Sequence, residues 1–167
     1  MTHDVPAPAC DMFGKHSSFE RCDKGFTVTT TSFEGLVTAS TADGSSLTYT
    51  VTVRVPTLDA ATADDIGDAV EADWLRTLRR RLEDAPGATR RAVSLDSFAA
   101  ERYDDEIRVE YVFTWGDPAS GADIAATFVE FVEGTYVEGI VPGYEYEPPV
   151  ADLLARATQD GSSGTPL

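Results

Sequence analysis

Residues 120–146, SGADIAATFVEFVEGTYVEGIVPGYEY, are the densest run of large apolar and aromatic side chains in the chain. Within it Ile124, Phe128, Phe131, Val132, Thr135, Tyr136 and Ile140 recur at intervals of three and four, the spacing of one helix face. Glu130, Glu133 and Glu138 fall largely on the other side, so the helix has a wet face. The same carboxylates leave no long uncharged apolar run and exclude a membrane span. Gly134 costs about 1 kcal/mol in a helix relative to alanine. That cost asks for close packing of another element at this point, or for a kink beside a ligand. Gly139, then Pro142-Gly143, stop the helix. The spacing therefore predicts a core helix, and the rest of the chain has to supply the surface on which it packs.

Just upstream the period changes from about 3.6 to 2. Ile107, Val109, Tyr111, Phe113 and Trp115 share one face of a strand, with Arg108, Glu110 and Thr114 on the other. Gly116-Asp117-Pro118 separates that strand from the central helix. An equally clean strand has Leu47, Tyr49, Val51, Val53 and Val55 opposite Thr48, Thr50, Thr52 and Arg54, and Pro56 ends it. Residues Phe26 to Thr30 and Phe33 to Ser40 read as two further strands, followed by a hairpin turn signal at Ala42-Asp43-Gly44-Ser45. Another strand lies between Arg91 and Tyr103, carried by Val93 and Leu95 or by Phe98, and Asp104-Asp105 makes its turn. Between the two groups of strands, Ile66, Val70, Trp74, Leu78 and Leu82 form the apolar stripe of a helix from about Asp64 to Asp84. Aspartates at 59, 64 and 65 are placed to cap it and favour its dipole. A short helix at Ala9–His16, with Met12 and Phe13 inward, opens the chain, and Val150, Leu153, Leu154 and Ala157 suggest a short docking helix near its end.

The expected order is α-βββ-α-ββ-α-α. Strands grouped in hairpins, each with one apolar face, predict an α+β fold: an antiparallel five-stranded sheet with helices on one face. The threonine-rich face is left either solvated or used for pairing. One domain over residues 1–158 is expected, with 159–167 as a disordered tail.

Composition bounds the setting. Apolar content of 42% is that of a globular chain, whereas a formal net charge of −16 and a pI near 4.3 are not ordinary. Lys15 and Lys24 are the only lysines, the remaining bases are arginine, and aspartate outnumbers glutamate. An acidic, lysine-poor surface is suited to concentrated salt, where a Debye length of about 3 Å at 1 M suppresses repulsion between carboxylates. The start MTHDVPAPACDMF has no apolar signal segment, and two cysteines make no disulfide framework, so a cytoplasmic location is expected.

Chemistry-bearing patterns are sparse. His3, Cys10, His16 and Cys22 are a zinc-type ligand set, but their spacing matches no common zinc pattern and no metal or other cofactor is expected. Arg76, Arg79 and Arg80 share a helix face, with Arg81, Arg90 and Arg91 nearby. The net charge repels nucleic acid, and pairing with Asp73, Glu83 and Asp84 accounts for the stripe. Glycines 134, 139 and 143 lack the lysine and spacing of a phosphate loop. Two histidines, both near the N-terminus, leave little material for a catalytic triad.

The segments Leu47–Leu58 (LTYTVTVRVPTL), Arg80–Thr89 (RRLEDAPGAT) and Phe128–Pro149 (FVEFVEGTYVEGIVPGYEYEPP) resemble a family of small uncharacterised haloarchaeal proteins, a domain of unknown function. That resemblance implies a habitat and no activity. The order of elements alone is similar to that of type III secretion chaperones and YbjN-like proteins, which implies a small, often dimeric module that binds polypeptides. The sequence thus favours a non-enzymatic protein-binding module, adaptor or chaperone-like, with a polypeptide partner or a second copy. The alternative is a small-molecule binder or enzyme with a pocket between sheet and central helix. Trp115, Tyr136, Tyr144 and Tyr146, aromatics with polar tips, are the candidate interaction surface at the end of the central helix.

Overall fold

The computed structural model describes residues 12, 19–22, 25–42, 44 and 46–164. Six strands form one antiparallel sheet: β1 (Phe19–Cys22), β2 (Gly25–Val28), β3 (Gly35–Thr41), β4 (Leu47–Pro56), β5 (Leu95–Tyr103) and β6 (Glu106–Trp115). Their spatial order is β1-β2-β3-β4-β6-β5. The two strands with the cleanest alternation, β4 and β6, lie side by side at the centre, paired from Leu47 opposite Trp115 to Pro56 opposite Glu106. Between residues 19 and 164, four helices accompany them: α1 (Leu58–Ala61), α2 (Asp68–Leu82), α3 (Pro118–Glu138) and α4 (Val150–Gly164), with a 3-10 turn at Ala85–Ala88.

The fold is therefore α+β with an antiparallel sheet, as expected, but the sheet has six strands and not five. The added strand is β1. FERC carries two charges in four residues and has no strand signature of its own; pairing with β2, Phe19 opposite Val28, makes it one. The order differs as well. Four strands precede the first helical group, which is split into α1 and α2. The expected helix at Ala9–His16 lies outside the described residues except for Met12. Helix α4 is longer than a short docking helix and takes in residues 159–164, which the sequence assigns to the tail.

The central helix forms as its spacing predicts. Asp117 is its N-cap, accepting from the Ser120 amide and hydroxyl, and Pro118 sits in the first turn, where a missing N–H costs nothing. Gly139 closes it. Ile124, Phe128, Val132 and Tyr136 are fully buried, together with the small residues Ala122 and Ala125. The small residues let the helix lie close on the sheet. A β-carbon on Gly121 would come within 2.5 Å of Tyr49 Cζ, and one on Gly35 within 2.6 Å of Val129 Cγ1. Tyr49, Tyr111, Phe113 and Phe128 fill the interface, with ring centroids 5.0–5.3 Å apart for Tyr49–Phe113, Tyr111–Phe128 and Phe113–Phe128. Each such buried side chain contributes roughly 1.5–3 kcal/mol of transfer free energy.

Helix α2 packs beside α3, Trp74 meeting Tyr136 edge to face at 5.7 Å. Its start differs from the aspartate caps expected. Gly67 is the N-cap and makes no side-chain bond; Asp59 instead accepts from Ile66 N and Asp64 from Glu145 N. Glu71, buried in the first turn of α2, receives Leu58 N and Asp59 N at 3.2 and 3.0 Å and so caps α1 from outside. A buried carboxylate is tolerated because two amide donors meet it.

Candidate functional site

Alternation on β3, β4 and β6 sends one set of side chains to the helices and leaves the other set on the opposite face of the sheet. Strand pairing then brings the second set together across chain distance. Thr38, Thr50 and Val112 lie in one row, Leu36 and Thr52 in the next, and Ser40, Thr48 and Thr114 in a third. These positions are half-buried by their neighbours or exposed, whereas the core-facing side chains of β4 and most of those of β6 are buried. Thr114 donates to Asp96 Oδ2 at 2.7 Å, so Thr48, 3.2 Å from Thr114 Oγ1, donates to that hydroxyl. The centre of this face carries hydroxyl, methyl and isopropyl groups and no charge, in a chain with 29 acidic residues. Charge begins in the adjoining rows: Glu110 stands opposite Thr52, Asp96 meets Thr114, and Arg54 and Arg108 lie beyond.

The long edge of the sheet beside this face is obstructed. Arg79 reaches from α2 to the β5 edge and donates through Nε and Nη2 to Ala100 O at 3.0 and 2.7 Å. A carbonyl already held by a guanidinium does not template another strand. The rest of the arginine cluster is dispersed: Arg76 pairs with Asp73 at 3.2 Å, Arg81 with Glu138 at 2.5 Å and Arg91 with Asp123 at 3.5 Å. Cys22 closes β1, while His3, Cys10 and His16 lie outside the described residues. Among the described residues, no helix is long and apolar enough to cross a membrane.

The four aromatics proposed from the sequence do not form one surface. Trp115 ends β6, beside the start of α3, while Tyr136 sits in the last turn of that 21-residue helix, roughly 25–30 Å away along its axis. Tyr136 is completely buried and donates to Pro56 O at 3.1 Å, and burial pushes its hydroxyl pKa upward. Tyr146 is partly buried and donates to Val141 O; its backbone bridges to Thr62. Tyr144 is half-buried in the turn between them. Tyr146 thus helps to hold the chain after α3 in place, and Tyr136 ties α3 to the end of β4.

Among the described residues, three grooves stand out on the surface. One, of about 500 Å³, lies between α3 and α4 and is lined by Glu130, Glu133 and Gly134. Among the described residues, nothing beyond the helix's own backbone and chain neighbours lies within 4 Å of a β-carbon built on Gly134, which corrects the expectation of close packing there. Glu133 is occupied with the Ser32 and Phe33 amides at 2.7 and 3.2 Å. A second, of about 600 Å³, runs along α2 past Val70 and Trp74. Val70, read as part of the buried stripe, is 39% exposed, because α1 and the segment after α3 cover only part of that helix. The third, about 640 Å³, is at the end of the sheet around Arg54, Arg108 and Tyr103.

The threonine face was visible in the alternation of β4; its extent, and the meeting of Arg54 with Arg108, required the β4–β6 register. No curated protein and no solved structure gives a significant match to this chain. A family model does, covering residues 14–156 and so most of the length, and the protein belongs to this family of unknown function, DUF5813.

Proposed function

We propose that this protein is a non-catalytic polypeptide-binding module of a salt-rich cytoplasm, an adaptor or chaperone-like unit, and that its partner lies on the face of the sheet opposite α2 and α3. The observation that carries this reading is the uncharged centre of that face, around Thr38, Thr50 and Val112, in a chain of net charge −16. Interface centres are depleted in charge, and a sheet face of small branched side chains loses little side-chain entropy on contact. The face is favoured over the β5 edge because Arg79 already occupies a carbonyl in the middle of that edge. A pocket between sheet and central helix finds no support, since Tyr49, Tyr111, Phe113 and Phe128 occupy that space.

The test is recovery of a tagged chain from native extract in high salt, beside Thr50→Arg and Val112→Arg variants shown to be folded by circular dichroism. One stoichiometric polypeptide that accompanies the parent chain and is lost at least tenfold from both variants is the expected result. Equal recovery with folded variants, or no partner at all, overturns the reading.

A further inference from the structure

At the end of the sheet β3 begins only at Gly35, opposite Val53, while β4 continues to Pro56 and β6 starts at Glu106. Arg54 and Arg108 are direct partners across β4 and β6 in this overhang. Like charges placed directly opposite destabilise a sheet, so the pair asks for a reason. The surrounding carboxylates do not neutralise it fully. Glu101, opposite Arg108 on β5, accepts from Tyr103 Oη at 3.0 Å. Glu106 faces Arg54, Nε to Oε2 at 3.5 Å, close enough for an ion pair and without a hydrogen bond. Among the described residues no carboxylate forms an ion pair with Arg108. Its Nε is buried without a hydrogen-bond partner, and its guanidinium lies 4.5 Å from the centroid of the Tyr103 ring. In a chain with 29 acids and 13 bases, this half-buried cation thus has no ion pair among the described residues.

Both arginines line the groove of about 640 Å³, and so do Glu34, Asp104, Asp105 and Glu106. The mixture selects the ligand. A phosphate or another multivalent anion would meet four carboxylates against two guanidiniums. A simple cation would leave Arg108 as it is. Only a molecule carrying both signs satisfies both halves of the wall. We propose that this groove binds a small zwitterion of the α-amino acid class. Its carboxylate lies between the guanidiniums of Arg54 and Arg108, which offer paired planar donors. Its ammonium turns towards Glu34, Asp104 and Asp105. The site is separate from the uncharged centre of the sheet and stands or falls independently of it.

The experiment is nuclear magnetic resonance of the full ¹⁵N-labelled chain at constant high ionic strength, following the Nε–Hε signals of Arg54 and Arg108 and the amides of residues 104–106. Glycine, acetate, methylammonium, N-acetylglycine and inorganic phosphate are the probes. Glycine is expected to shift these signals saturably, with a midpoint at least tenfold below those of the other four. Arg108→Gln should abolish the effect; Arg54→Gln, at a side chain half open to solvent, tests it without risk to the core. Thr50→Arg should leave it intact. Equal response to acetate or phosphate overturns the zwitterion assignment, and equal response to N-acetylglycine overturns the ammonium half. No shift with glycine, or an unchanged shift in both arginine variants, overturns the site.

Discussion

Gly121 shows how much of this fold rests on one missing methyl group. It lies in the first turns of α3 directly over Tyr49, a fully buried tyrosine whose hydroxyl pKa is pushed up to about 12, first by burial and then by the Asp117 charge. Any β-carbon at 121 would overlap the ring at Cζ, within 2.5 Å, and at Cε2, within 2.8 Å. The ring cannot move aside, because Phe113 stacks against it at 5.0 Å and the strand backbone is paired on both sides. Either α3 lifts from the sheet or Tyr49 leaves its rotamer. Overpacking of this kind costs about 1–3 kcal/mol. Gly121→Ala is therefore expected to lower stability by that amount in urea unfolding at fixed salt, although alanine is the better helix former. A variant as stable as the parent chain would show that the contact is looser than the geometry states. Helical periodicity alone placed position 121 in or near a helix; it could not show that tyrosine stands beneath it.

At the scale of elements, alternation and spacing carry the local structure and fail where pairing decides. The apolar faces of β4, β6 and α3 were readable because each is long enough for its period to repeat and each buries one side. β1 was not readable, since four residues of FERC acquire their conformation from β2. Trp115 was grouped with three tyrosines because sequence proximity says nothing about the length of a helix lying between them. Arg54 and Arg108 stand out as bases on threonine-rich or acidic strand faces, yet 54 residues of chain separate them. Gly134 is the converse: its cost was legible, and the packing invoked to justify it is absent among the described residues, which leave room for a β-carbon there. Gly134→Ala should then recover the helix propensity, raising stability by up to about 1 kcal/mol and Tm by about 2–4 °C. Calorimetry at fixed salt checks this. A loss of stability would mean that the groove between α3 and α4 closes in solution onto that glycine.

The whole molecule has to contend with its charge. With 29 acids and 13 bases, a surplus of 16 negative charges remains whatever the arrangement of the surface. The ion pairs that do form between described side chains have partners 38–72% exposed, a setting in which each contributes about 0–1 kcal/mol. They cannot offset the surplus. What decides is the range of the repulsion. A chain of this length has a radius of gyration of about 15 Å, and the Debye length is about 30 Å at 10 mM salt and about 3 Å at 1 M. In dilute buffer every carboxylate therefore acts on every other, and the folded state, which holds them closest, is raised most. In molar salt the same charges interact only with immediate neighbours, and apolar burial around α3 prevails. Far-UV circular dichroism during dialysis from about 2 M to 10 mM salt should show cooperative loss of structure that returns when salt is restored. Acidification at low salt distinguishes charge repulsion from a requirement for particular ions. Protonating part of the carboxylates, between about pH 4 and 5, should delay the loss if repulsion is the cause. A fold unchanged in dilute buffer would mean that the core outweighs the charge, and the acidic composition would then have to be explained by solubility and choice of partner.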